Sequence, residues 1–132
     1  DRSPSRGLGD VYKRQPEKIT FNAMDEALLK RAVSIVEKNM DNIEFSTDEF
    51  AREMNMSRSN LHLKLKAITG ESTIDFIRKI RFNEAAKLLK DGRYTVAEVS
   101  TMVGFNTPSY FATSFKKYFG YLPTEYIKRT KG

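Results

Sequence analysis

The chain has 132 residues, of which 39% are hydrophobic and 30% charged, and its formal net charge is +6. This length is typical of one domain or of two very small ones, and the composition is typical of a globular protein. Cysteine is absent, which excludes disulfides and thiolate metal sites, and His62 is the only histidine, which leaves too few ligands for a histidine-based metal site. No apolar run approaches the roughly 18 residues of a membrane span, so we expect no membrane contact. We also expect no cofactor and no enzymatic activity.

The basic residues are concentrated in the C-terminal part of the chain. Residues 1–16 carry a net charge of +2 and residues 17–56 a net charge of −4, whereas residues 57–132 carry +8. A basic surface of this kind favours an anionic partner, with nucleic acid as the leading candidate. A basic surface that is merely solvated is the alternative that charge alone leaves open.

The N-terminal third is predicted to contain a tail, a linker and one helix. Residues 1–16 have few apolar side chains and no periodicity, and we interpret them as a disordered or non-native tail. No secretory signal is recognisable, so a cytoplasmic location is expected. Residues 17–45 are predicted to hold a linker and a first helix over 25–41, whose apolar face consists of Leu28, Ala32, Ile35, Val36 and Met40.

Residues 46–71 have the pattern of a helix-turn-helix unit, in which a short helix, a tight turn and a second helix follow each other. Its boundaries are marked by Ser46 with Glu49 as a capping box, Asn55 as the turn, Ser57 as a second cap and Gly70 as the terminator. Helices are therefore predicted over about 47–54 and 57–69, with Leu61, Leu65 and Ile68 facing inward.

Residues 92–129 repeat this order of signals. The boundaries are Thr95 with Glu98, Gly104 at the turn, Thr107 with Pro108 at the second helix start, and Gly120 at its end. The matched core positions are Phe50 with Val99, Met54 with Val103, Met56 with Phe105, Leu61 with Phe111, and Leu65 with Phe115. Phe119 or Tyr118 is also predicted to face inward. After each unit a further helix begins with a buried aromatic residue and isoleucine, first Phe76 and Ile77, then Tyr126 and Ile127.

A central helix is predicted between the two units, over residues 72–91. The helical spacing of Ile74, Ile77, Arg81, Ala85 and Leu88 marks a continuous helix. A helix of about 19 residues spans roughly 28 Å, comparable with one turn of duplex DNA. Such a helix could hold the second helices of the two units in successive major-groove segments.

These motifs resemble the DNA-binding domain of the AraC/XylS family of bacterial transcription regulators. The resemblance covers about residues 25–129 and is most specific in the stretch AEVSTMVGFNTPSYFATSFKKYFGYLPTEYIK. It implies an all-α fold of about seven helices, with two helix-turn-helix units joined by a long central helix. It also implies sequence-specific binding of double-stranded promoter or operator DNA, contact with RNA polymerase, and a parent protein that could be dimeric or membrane-anchored.

The stretch PEKITFNAMDEALLKRAVSIVEKNM is similar to the segment that joins a receiver domain to this module in hybrid two-component sensors. This similarity implies that the chain is the C-terminal effector module of such a regulator.

Thirteen positions are predicted to contact DNA because they lie on the outward, N-terminal faces of the two second helices. They are Arg58, Ser59, Asn60, His62, Leu63, Lys66, Asn106, Thr107, Pro108, Ser109, Ala112, Thr113 and Lys116. By resemblance, the base-reading positions are Ser59, His62, Leu63, Pro108, Ser109, Ala112 and Thr113. The family often has arginine at positions 63 and 113, which could bind guanine, whereas Leu63 could instead pack on a thymine methyl group.

Other interpretations of the same residues remain open. Ser57 and Thr107 are more typical of helix caps than of base readers, and lysines such as Lys66 and Lys116 could simply be solvated. A helical protein-interaction domain without DNA binding is the alternative function. A nucleic-acid enzyme is disfavoured, because no Gly-rich phosphate loop or nucleophile–base pair is recognisable.

Overall fold

The computed structural model describes residues 22–131, and this part of the chain contains seven α-helices and no strand. The predicted all-α class is therefore confirmed, whereas the predicted tail at residues 1–16 lies outside the described residues. None of the described helices is long and apolar enough to cross a membrane. In chain order the helices are α1 (Ala23–Lys38), α2 (Thr47–Glu53), α3 (Arg58–Thr69), α4 (Thr73–Asp91), α5 (Val96–Met102), α6 (Pro108–Phe119) and α7 (Pro123–Lys131).

The described residues pack as two compact units. The first compact unit comprises residues 22–39 and 45–80, and the second comprises residues 40–44 and 81–131. Helix α4 contributes its first half to one unit and its second half to the other. The segment boundaries predicted from the sequence divide the chain by motif rather than by packing, and they stay a prediction.

The first helix-turn-helix unit is formed by α2 and α3. Ser57 Oγ accepts a hydrogen bond from the Asn60 amide at 3.1 Å, which confirms its role as the N-cap of α3. Asn55 adopts the left-handed conformation with φ = 58°, so the turn occurs where it was predicted. Gly70 ends α3 with φ = 79°, a conformation that glycine adopts without a Cβ penalty.

The second helix-turn-helix unit, formed by α5 and α6, has the same local geometry. Thr95 and Glu98 make both hydrogen bonds of a capping box, at 3.0 and 2.8 Å. The α5–α6 turn is closed by a bond from the Phe105 amide to Ser100 O at 2.9 Å, and the bond from the Met56 amide to Ala51 O at 3.0 Å closes the α2–α3 turn. The repeat predicted from the sequence is thus a repeat of backbone geometry.

Each compact unit has its own aromatic or aliphatic core. In the first, Phe50 and Phe76 stack with ring centroids 6.0 Å apart, and Leu61 and Leu65 are fully buried. In the second, the buried ring of Phe82 is surrounded by five aromatic rings with centroids 4.9 to 6.4 Å away, which belong to Phe105, Phe111, Phe115, Tyr118 and Phe119. The inward positions predicted for α3 are confirmed, as are Phe111 and Phe115 of α6, whereas Phe119 is half-buried and Tyr118 is 40% exposed.

The turn of the second helix-turn-helix unit packs tightly against the segment of residues 40–44. A Cβ atom on Gly104 would lie 2.7 Å from Met40 O and 2.9 Å from Arg81 Cζ, so only glycine fits there. Arg81 Nη2 donates to Asn42 O at 2.9 Å and so holds the segment against α4. Burial lowers the pKa of the Arg81 guanidinium, an effect that the carboxylate of Asp41 partly opposes.

Four details of the sequence-based prediction are wrong. The first helix ends at Lys38 rather than at residue 41, and Met40, beyond its end, is partly buried against the core of the second compact unit. Ser46 caps α2 through the Glu49 amide, but the Glu49 carboxylate lies 3.8 Å from Arg52 Nη1, and the reciprocal bond of a capping box is not made.

The other two corrections concern exposure. Ile74, one of the residues whose spacing predicted α4, does not lie on its packed face and is 55% exposed, because that face runs through Phe76, Ile77 and Ile80. In α7, Tyr126 and Ile127 are only half-buried at the margin of the second core.

Candidate nucleic-acid interface

Helix α3 presents a polar face that begins at its N-terminus. The N-cap Ser57 fixes the start of the helix, and the buried residues Leu61 and Leu65 fix its rotation, because they face the core at helical spacing. The opposite face is exposed and carries all six of the positions predicted there, namely Arg58, Ser59, Asn60, His62, Leu63 and Lys66.

Helix α6 presents the corresponding face in the second unit. Thr107 Oγ1 accepts from the Tyr110 amide at 3.2 Å, and Pro108 occupies the first helical position, so the predicted start is confirmed. The predicted positions are exposed except for Ala112, which is half-buried beside the core residue Phe111; the exposed positions are Asn106, Thr107, Pro108, Ser109, Thr113 and Lys116.

Besides Thr107, two further candidate side chains have hydrogen-bond partners. Arg58 Nη1 donates to Asp48 Oδ1 at 3.1 Å, and both side chains are more than half exposed. Such a surface pair is worth less than about 1 kcal/mol, so DNA could displace Asp48. Thr113 Oγ1 donates to Ser109 O at 3.0 Å, which leaves its methyl group and the oxygen lone pairs for a partner.

Helices α3 and α6 both carry lysines, which differ in their contacts within the protein. Lys64 Nζ lies 3.8 Å from Asp25 Oδ1, so this lysine is directed toward α1. Lys66 and Lys116 occupy matched positions near the ends of α3 and α6, and both are exposed. A flexible ammonium group in this position is suited to a phosphate contact.

The sequence analysis did not single out the bases of α7. Lys128, Arg129 and Lys131 are exposed, and the Arg129 guanidinium lies 4.8 Å from the centroid of the Tyr121 ring. The last turn of α7 therefore adds positive charge to the second compact unit. The signal available in the sequence was the density of bases in the stretch IKRTK.

An open groove lies beside the start of α3. It has a volume of about 490 Å³ and is lined from α3 by Arg58, Ser59, His62 and Leu63 and from the start of α4 by Ser72, Thr73 and Ile74. The groove therefore has a mixed lining of hydroxyl, guanidinium, imidazole and apolar groups.

Within residues 22–131 no group of acidic residues and histidine is arranged to hold a metal ion.

A family model described as a helix-turn-helix domain matches residues 50–129 of the chain. Among curated proteins, histidine kinase P4 of Formosa agariphila is 40% identical over 114 residues, which is 86% of this chain but 8% of that protein. The chain thus spans less than a tenth of the length of this relative.

Two solved structures show the same fold. The C-terminal domain of AraT, a response regulator from Geobacillus stearothermophilus, has a TM-score of 0.72 and 30% identity, and the match covers 77% of this chain and 84% of that one. A transcriptional regulator from Chromobacterium violaceum, described as containing an AraC-type DNA-binding domain, has a TM-score of 0.73 and 26% identity, with 83% and 96% covered.

Proposed function

Since the chain belongs to the AraC-type family of helix-turn-helix domains, as its motifs predict, we propose that it binds double-stranded DNA sequence-specifically as the output module of a transcription regulator. One observation carries this proposal. The chain contains two helix-turn-helix units with the same turn geometry, and each presents the polar N-terminal face of a capped second helix. A repeated core alone would not require both outward faces to be polar and basic.

In this proposal α3 and α6 are the recognition helices, each in its own major-groove segment. The bases are read by side chains in the first two turns, where a recognition helix approaches base edges. Lys66 and Lys116, one turn further along, contact phosphates and position the helices. The net charge of +8 over residues 57–132 supports a strong phosphate contribution.

We further propose that this module is one part of a longer regulator. The AraT domain comes from a response regulator, and the relative from Formosa agariphila is a histidine kinase, which supports a two-component parent. In that setting the kinase activity resides elsewhere, and this segment has no catalytic role. Contact with RNA polymerase, dimerisation of the parent and a cytoplasmic, nucleoid-associated location follow from the same proposal.

The proposal is tested by selecting DNA sites from a random pool and measuring affinity for the selected and a scrambled duplex at two salt concentrations. We expect tighter binding to the selected duplex and protection of a site of about two helical turns in footprinting. The variant Lys116→Glu should weaken binding at both duplexes. Lys87→Glu, which makes the same charge change at an exposed position of α4, is the matched control and should have a smaller effect.

A helical protein-interaction domain is the alternative function. It would be favoured if the chain bound neither duplex with a dependence on salt, or if the Lys116 and Lys87 variants behaved alike. Protection of a single helical turn would mean that only one recognition helix enters the groove.

A further inference from the structure

Leu63 is the most exposed large apolar side chain on either recognition helix. It is 64% exposed, compared with 56% for Tyr110 on α6. Its neighbours Leu61 and Leu65 are fully buried and account for the packing of α3, so the core does not require leucine at position 63. Single exposed apolar residues are common on protein surfaces, and exposure alone assigns no role to Leu63.

Leu63 is exposed on the part of α3 that faces DNA in the proposed function. The side chain lies on the outer face of α3, one turn after Ser59 and one turn before Lys66, on the stripe that faces DNA in the proposed function. It also lines the groove of about 490 Å³, where Ile74 contributes a second exposed apolar side chain from α4. Leu63 is thus an apolar side chain within an otherwise polar reading face.

The chemistry of a leucine side chain limits what it can recognise on DNA. Leucine has no hydrogen-bond donor or acceptor, and in the major groove the apolar feature of the base edges is the 5-methyl group of thymine. A cytosine methylated at C5 carries the same group in the same place. Arg58, the neighbouring donor suited to guanine, has Nη1 bonded to Asp48 Oδ1, which leaves its other N–H groups for hydrogen bonds but gives it no means of recognising a methyl group.

We propose that Leu63 makes the first helix-turn-helix unit selective for a 5-methylpyrimidine, thymine or 5-methylcytosine, at one position of its half-site. The inference rests on the proposed function and deepens it. Contact with the methyl group removes apolar surface of both partners from water, and an unmethylated pyrimidine at this position loses that contribution.

The test replaces each thymine of the selected duplex, one at a time, by deoxyuridine, which removes only the methyl group. For the unmodified chain we expect one replacement in the half-site of α3 to weaken binding about fourfold, the effect of leaving one methyl or methylene group unburied. A duplex with 5-methylcytosine·G in place of that T·A pair should bind more tightly than a duplex with C·G in its place.

The variant Leu63→Ala should bind the thymine and uracil duplexes at that position equally. Met24→Ala removes an apolar side chain that is 83% exposed on α1, outside both recognition helices, and should keep the fourfold difference. Because both residues are exposed, neither variant should change the melting temperature appreciably.

Two outcomes would overturn the inference, and they are distinguishable. If the chain binds its selected duplex but no single uracil replacement distinguishes the unmodified chain from Leu63→Ala, the role of Leu63 is refuted and the proposed function stands. If the chain shows no sequence-specific binding to any duplex, the proposed function itself fails, and the inference fails with it.

Discussion

Replacing Gly104 by alanine tests the tightest contact in the second compact unit. Gly104 has φ = +83°, and an added Cβ would lie 2.7 Å from the backbone oxygen of Met40. Gly92 provides a matched control, because its φ is +82° and nothing lies within 4 Å of the position of its Cβ. Gly92→Ala therefore introduces the left-handed strain alone, whereas Gly104→Ala adds the steric clash.

The difference between the two variants can be estimated. A left-handed alanine costs roughly 1–2 kcal/mol, part of which is offset by about 0.4–1 kcal/mol from the lower entropy of the unfolded chain. We expect Gly92→Ala to lower the free energy of unfolding by about 1 kcal/mol. In Gly104→Ala a backbone carbonyl must also move, and losing the bond from Arg81 to Asn42 O adds about 1.5–3 kcal/mol, since its donor is charged.

Urea unfolding followed by far-UV circular dichroism measures this difference, because the chain has no tryptophan to report by fluorescence. Amide hydrogen exchange in α5 and α6 shows whether the loss is located in the second compact unit. If Gly104→Ala and Gly92→Ala lowered stability equally, the close approach of residues 40–44 to the turn would be refuted as a source of stability.

The remaining predictions concern binding, caps and core. Lys116→Ala should weaken binding to all duplexes about equally and reduce the slope of log affinity against log salt by roughly one; a change in the preferred sequence would contradict this. Thr95→Ala should cost about 1 kcal/mol in urea unfolding and more than Ser46→Ala, because only Thr95 belongs to a complete capping box; equal losses would contradict this. Phe82→Ala should cost about 3–5 kcal/mol, and a loss below about 1 kcal/mol would show that its aromatic cluster is loosely packed.

The features that could be predicted from the sequence are those determined by neighbouring residues. A cap hydroxyl bonds an amide three residues along the chain, so Ser57 and Thr107 could be assigned from the local sequence alone. The same holds for the left-handed terminators Gly70 and Gly120. The buried faces of α3 and α6 followed from helical periodicity, since each helix packs along one face.

The features that were missed depend on residues distant in the chain. Met40 follows helical spacing, but it contributes to a core whose other residues lie some forty or more positions later. Ile74 fits the apolar pattern of α4, although the packed face of the helix is rotated away from it. The contact of Arg58 with Asp48 joins two helices, and nothing in either helix alone indicates it.

The base-reading residues remain predictions for a different physical reason. Apart from the half-buried Ala112 their side chains are exposed, so the fold determines where each side chain leaves its helix but not which base edge it contacts. Hydrogen bonds within the protein reduce the number of contacts that a side chain can make to DNA. Thr113 is an example, because its hydroxyl already donates to Ser109 O. The remaining selectivity depends on the DNA partner and on the water that binding displaces.

A comparison of matched positions indicates what kind of site the chain should bind. Helices α3 and α6 have the same residue at two matched positions, since Ser59 matches the base-reading position Ser109 and Lys66 matches the phosphate-contact position Lys116. They differ where bases are expected to be read, since His62 matches Ala112 and Leu63 matches Thr113. The His62 imidazole can form hydrogen bonds to base edges that Ala112 cannot form, and the Thr113 hydroxyl can form hydrogen bonds that Leu63 cannot form, so two identical half-sites would not suit both helices equally. We therefore expect the selected site to be non-palindromic. A variant with His62→Ala and Leu63→Thr, which carries the residues of positions 112 and 113 on α3, should select a site whose two halves are more alike.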